Sequence, residues 1–226
     1  MLLAHLVGDY ILQWDQLALW KSKELKGILV HGLVVFTVTW TFSLPIDPTW
    51  WWGVLFISAA HLLIDGAQLY VELPVAPLVR FILDQSAHGV VIIAALIARG
   101  DLAFFSLTAD LANSLQSNRA LSFLLGYAFI SMPAWVIIKF VAYGLVRGTA
   151  PEFPGRTNKY IGILERGLIT TITILGQSLL APLVVVPRLV VEWSRVRRAN
   201  ETAVYLVELL VSTALAVAVG LALSRL

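Results

Sequence analysis

The chain alternates between long apolar stretches and short polar ones. A helix needs about 20 apolar residues to cross the hydrocarbon core of a bilayer. Stretches of that order cover residues 2–20, 27–45, 50–71, 82–98, 120–146, 160–178 and 201–224. A further one, 179–193, is apolar but interrupted by Pro182 and Pro187, and reads as a re-entrant or short segment. The pattern predicts an all-α polytopic membrane protein with about seven or eight transmembrane helices. The first stretch carries His5, Asp9 and Gln13, so it is expected to penetrate only part of the bilayer. Residues 73–81 form a turn leading into the fourth stretch, and 100–119 is the most polar region. That region is expected to be a loop between two halves: 1–99, a four-helix half, and 120–226, a three- or four-helix half.

Composition agrees with a membrane protein and removes several chemistries. The chain is 59% hydrophobic and 13% charged, against roughly 25% charged in soluble domains. There is no cysteine, which excludes disulfides, thiolate metal sites, iron–sulfur clusters and a cysteine nucleophile. The net charge is +2 with scattered basic residues, so nucleic acid binding has no support. The first residues are too polar for a signal-peptide core, and the N-terminus reads as part of the fold.

Lysine and arginine placement sets an expected orientation. Lys21, Lys23 and Lys26, then Arg80, then Arg147, Arg156 and Lys159, then Arg188, Arg195, Arg197 and Arg198 fall on one side, read as cytoplasmic. The Pro45–Trp52 loop and the N-terminus fall outside, with Trp50, Trp51 and Trp52 as interfacial anchors. Arg99 and Arg119 fall on the outer side, partly offset by Asp101 and Asp110.

All four histidines precede residue 89, each inside an apolar stretch. Three sit one helical turn from an aspartate: His5 with Asp9, His61 with Asp65, and Asp84 with His88. A spacing of four places both side chains on one helix face. His31 stands alone in its stretch. Ionisable groups inside membrane segments are costly, and by default they mark function. Imidazole and carboxylate from facing helices are how a bundle builds a metal site. His31, His61, Asp65, Asp84 and His88 can meet in the inner half of the bilayer, whereas His5 and Asp9 enter from the opposite end. They join only if the first stretch is tilted or half-inserted. The competing structural reading is helix–helix hydrogen bonding by polar residues. A proton or ion pathway is another, and haem ligation is disfavoured by the neighbouring carboxylates. Gln13, Gln68 and Gln85 read as interhelical hydrogen bonders. Gly8, Gly32, Gly66 and Gly89 read as sites of close helix approach.

The second half has no histidine. Its conspicuous feature is the adjacent Glu165-Arg166 pair, read either as an interfacial ion pair or as an arginine that binds an anionic headgroup. Lys139 is expected to snorkel to the interface. Glu208 has Arg188 or a subunit contact as its expected partner.

The segments Leu3-Ala4-His5-Leu6-Val7-Gly8-Asp9-Tyr10-Ile11-Leu12-Gln13, His31-Gly32, His61-Leu62-Leu63-Ile64-Asp65 and Asp84-Gln85-Ser86-Ala87-His88 resemble bacterial domain-of-unknown-function family 3307. Tyr160-Ile161-Gly162-Ile163-Leu164-Glu165-Arg166 resembles the extension of its longer members, so the likeness runs over nearly the whole chain. It departs where Arg188 stands for a lysine and where Val204 precedes Tyr205 in place of an acidic residue. The resemblance implies a polytopic protein of the bacterial inner membrane and supplies no activity. His61 to Asp65 alone also resembles a helix of the LexA-binding, inner-membrane-associated proteins regarded as metal-dependent hydrolases.

The expected function is a membrane-embedded metal-dependent enzyme. The first choice is a hydrolase of a lipid or prenyl-type substrate holding a divalent transition metal, zinc foremost. His5, His61, Asp65, Asp84 and His88 are the expected metal residues. Asp9 is the expected base, His31 a ligand or an acid beside it, and Arg166 the expected substrate-binding residue. A transporter or channel using the same cluster and a non-catalytic scaffold are the alternatives. The expected partners are the bilayer, a lipid-like substrate and, compatibly, further copies of the chain.

Overall fold

The computed structural model describes the chain except Glu72, Glu152, Pro154, Gly155, Ala199 and Asn200, and except the side chains of Arg156, Thr157, Asn158 and Arg195. Two of the charges used for orientation, Arg156 and Arg195, therefore lie outside the described side chains. The described residues form helices and connecting turns: α1 (Leu2–Leu6), α2 (Asp15–Lys21), α3 (Leu25–Ser43), α4 (Trp51–Tyr70), α5 (Pro77–Arg99), α6 (Leu107–Ser117), α7 (Arg119–Ile130), α8 (Met132–Val146), α9 (Arg156–Ile174), α10 (Ala181–Arg198) and α11 (Thr202–Leu223). The region expected as a loop over 100–119 holds α6. The chain divides into two compact units, 1–75 with 79–118, and 76–78 with 119–226.

The fold is all-α, but seven or eight spans is an overcount. Among the described residues four helices, α3, α4, α5 and α11, are long and apolar enough to cross a membrane. The bent pair α7–α8, with a 41° angle at its break, makes five if counted as one span. The physical reasons are specific. The apolar run 2–20 is not one helix: α1 continues in a wide π-type turn over Val7–Ile11, and the chain restarts as α2. Helix α9 carries Lys159, Glu165 and Arg166, and α10 carries Arg188, Glu192, Arg197 and Arg198. That charge is too dense for hydrocarbon. The protein is nonetheless a multi-pass membrane protein.

In the first unit one stripe of side chains changes character along its length. On α4 the buried positions Val54 and Ile57 continue, at helical spacing, into His61 and Asp65. On α5 His88 is followed by Ile92 and Ala95. On α3 Ile28 and His31 precede Val35 and Val38. The apolar ends meet: Trp50, Val54, Ile57, Ile92 and Ala95 form one core. Packing there fixes the helix rotations, and the same rotations aim the polar ends at one another. Trp50 belongs to that core, 1% exposed beneath the Arg99 guanidinium, so it is not an interfacial anchor. Trp51 and Trp52 are exposed. Arg99 pairs with Asp101 and Asp47, which explains its place against the charge rule.

In the second unit α9 and α11 approach along small residues. Ser212, Ala216 and Gly220 recur every four positions, and Thr170 Oγ1 donates to the Ala216 carbonyl at 3.0 Å. A Cβ at Gly220 would lie 2.6 Å from the Thr173 Cβ, so only glycine permits this approach. Charges inside the unit take other partners than expected. Lys139 Nζ donates to Glu208 at 2.6 Å instead of snorkelling, and Arg188 binds Glu165 at 2.8 Å, not Glu208.

Candidate metal centre

The site grows from the polar ends of α3, α4 and α5. Because α1 and its π-type turn form only a short helical segment, His5 and Asp9 join the same cluster instead of standing across the bilayer. Gly8 backs onto Val35 of α3, seating that segment against the helix. Gly32 faces the Leu62 side chain in the same way, while Gly66 and Gly89 face open space and bring nothing together.

Two overlapping groups result. Asp9, His31 and His61 form one, and His61, Asp65 and His88 the other. In each group the potential ligand atoms lie within 4.8 Å of one another, and all five residues are buried. His31 Nε2 is 3.0 Å from Asp9 Oδ1 and 3.1 Å from His61 Nε2. A carboxylate only accepts, so the proton of the His31–Asp9 contact belongs to His31 Nε2. His61 Nε2 is 3.5 Å from Asp65 Oδ2. His88 Nε2 is 3.9 Å from Asp65 Oδ1. His5 stacks on His88 with ring centres 5.4 Å apart, and its centre is 5.9 Å from that of His61. Burial pushes the His5 imidazole down to about 4, leaving it neutral with a lone pair to give.

His88 carries the most telling detail. Its Nδ1–H donates to the Asp84 carbonyl at 2.9 Å, which leaves the lone pair on Nε2. That Nε2 is buried and has no hydrogen-bond partner in the structure. Buried polar atoms are ordinarily satisfied. An unpartnered imidazole nitrogen facing a carboxylate fits a cation. Asp84 sits behind His88, its carboxylate 3.4 Å from His88 Nδ1 and bound by the amides of Gln68 and Gln85. Carboxylate or carbonyl support behind a ligating histidine is the usual arrangement at metal sites. We expect Asp84→Asn to weaken zinc affinity by about tenfold, the low end of such effects. The backbone carbonyl still fixes the tautomer. Competition titration with a zinc-binding dye measures it, and a loss as large as that of a ligand would make Asp84 a ligand itself.

The sequence did not point to Lys21. It reads there as a topology charge, yet Nζ lies 3.4 Å from Asp9 Oδ1 and 3.1 Å from Asp65 Oδ2. A main-chain contact puts it there. A Cβ at position 27 would lie 2.5 Å from the Lys21 amide nitrogen, so Gly27 lets the end of α2 pack directly on α3. Burial works against the Lys21 charge, but Asp9 and Asp65 outweigh it and hold the ammonium above its ordinary range. Burial likewise works against charge on Asp9, where Lys21 and the His31 hydrogen bond prevail and hold the carboxyl well below its ordinary range. Arg166, expected to bind substrate, is 2% exposed in the other unit. Its guanidinium donates to the carbonyls of Ile130 at 2.6 Å and Ser131 at 2.9 Å.

A family model described as protein of unknown function, DUF3307, matches residues 1–118. The chain belongs to this family. The match contains every residue of the cluster and ends with the first unit. The resemblance at Tyr160 to Arg166 lies beyond it, and the likeness of His61 to Asp65 to the LexA-binding proteins finds no counterpart in the comparisons. No curated protein and no solved structure matches.

Proposed function

We propose that this is a metal-dependent hydrolase of the bacterial inner membrane, acting on a lipid or prenyl-type substrate. The observation that carries the proposal is the unpartnered, buried His88 Nε2 beside Asp65 and His61. His61, Asp65 and His88 hold a zinc-type divalent ion, with His5 adjacent and Asp84 orienting His88. Such an ion lowers the pKa of water toward neutrality and polarises a substrate oxygen. Asp9, held ionised by Lys21, serves as the base, and His31, whose Nε2–H it accepts, stands beside it as the acid. A site built among membrane-length helices favours a substrate that is itself in the bilayer.

The test uses detergent-purified, zinc-loaded protein and a panel of phospholipid and prenyl phosphoesters and amides. Asp9→Asn is expected to keep its zinc and lose about 100-fold or more in turnover. Zinc-dependent ion flux into liposomes without any product would replace hydrolysis by transport. Turnover unaffected by Asp9→Asn would remove the base.

A further inference from the structure

Resting on the metal reading above, we infer that Lys21 occupies the seat of a second cation, so that this centre takes one divalent ion and not two. The two overlapping groups share His61 and look at first like a dinuclear site. Their free valences differ. On the His88 side, His88 Nε2 has no partner, and Asp65 turns its Oδ1 toward it. On the Asp9 side, Asp9 Oδ1 is already engaged by His31 Nε2 at 3.0 Å and by Lys21 Nζ at 3.4 Å, and the unpartnered His31 nitrogen is Nδ1, not the Nε2 that faces Asp9 and His61. The ammonium reaches across to Asp65 Oδ2, the oxygen that does not face His88. Lys21 thus bridges two carboxylates from different helices, as a second metal would.

Charge leads to the same count. Asp9, Asp65 and Asp84 are 6%, 8% and 16% exposed at their side chains, and Lys21 is 20% exposed. Asp15, Lys23, Glu24 and Lys26 are exposed. Arg80 donates to the carbonyls of Gln68 and Val71. Three carboxylates against one ammonium leave two negative charges, which one divalent ion neutralises. With Lys21 in place two divalent ions would leave two uncompensated positive charges in a low-dielectric pocket, whereas without it they leave one, which a single bound hydroxide cancels.

Zinc bound at saturation by the purified full chain, measured by equilibrium dialysis and elemental analysis with His61→Ala as the blank, tests this. We expect one zinc per chain for the wild type and for Lys21→Arg, and two for Lys21→Gln. Lys21→Met provides a second uncharged variant should the glutamine fail to fold. Two zincs in the wild type, or one in a folded uncharged variant, overturns the inference and leaves the metal reading standing. No zinc in the wild type removes both.

Discussion

His61→Ala is expected to strip the protein of its metal. His61 is the member common to both ligand groups, with Nε2 3.1 Å from His31 Nε2 and 3.5 Å from Asp65 Oδ2. Its loss leaves Asp65 and His88 with His5 and with His31, whose Nε2 lies 3.5 Å from Asp65 Oδ2 but carries the proton it gives to Asp9. Supporting residues alone cost about 10- to 100-fold in affinity when removed, so a shared ligand should cost at least the upper figure. Zinc per chain by elemental analysis should fall to background. Because α4 keeps its apolar stripe through Trp50, Val54 and Ile57, the variant should still purify as a folded protein. A variant that holds zinc as the wild type does would exclude this centre.

Arg166→Ala is expected to destabilise the second unit without touching the metal. The break between α7 and α8 frees carbonyls at Ile130 and Ser131, and the guanidinium satisfies both. Leaving a buried acceptor unpaired costs about 1–3 kcal/mol. Two such losses, at about 2–4 °C per kcal/mol for a chain of this size, lower the melting temperature by roughly 5–20 °C. Zinc content should stay at the wild-type value, because every cluster residue lies in the first unit. An unchanged melting temperature with weakened substrate binding would restore Arg166 to the anion-binding role that its sequence suggests.

How far the sequence could be read depended on whether a feature was local. The pairing of His61 with Asp65 and of Asp84 with His88 follows from helical spacing, and both lie in helices that pack as single units. The joining of His5 and Asp9 to the others was conditional on a half-inserted first stretch, because hydropathy does not show that the run 2–20 breaks after Ile11. The span count failed for a related reason. Averaged hydropathy hides charges that pair inside the fold, such as Glu165 of α9 with Arg188 of α10. Lys21 was out of reach for a third reason: its partners are 12 and 44 residues away, and the contact that places it is main chain on main chain. A glycine two residues into a membrane helix, facing a preceding lysine-ended helix, is the only trace of that contact in the sequence.

The bend between α7 and α8 also bears on how the protein is made. Inside a bilayer no water is on hand to satisfy a freed carbonyl. The donor that closes the Ile130 and Ser131 carbonyls comes from a residue 36 and 35 positions further along the chain. When residues 119–146 reach the membrane, that donor has not yet joined them. The bent segment is therefore expected to stay at the interface until α9 arrives. A chain halted before Arg166 would present the quality-control proteases of the membrane with a broken helix that nothing in it can mend.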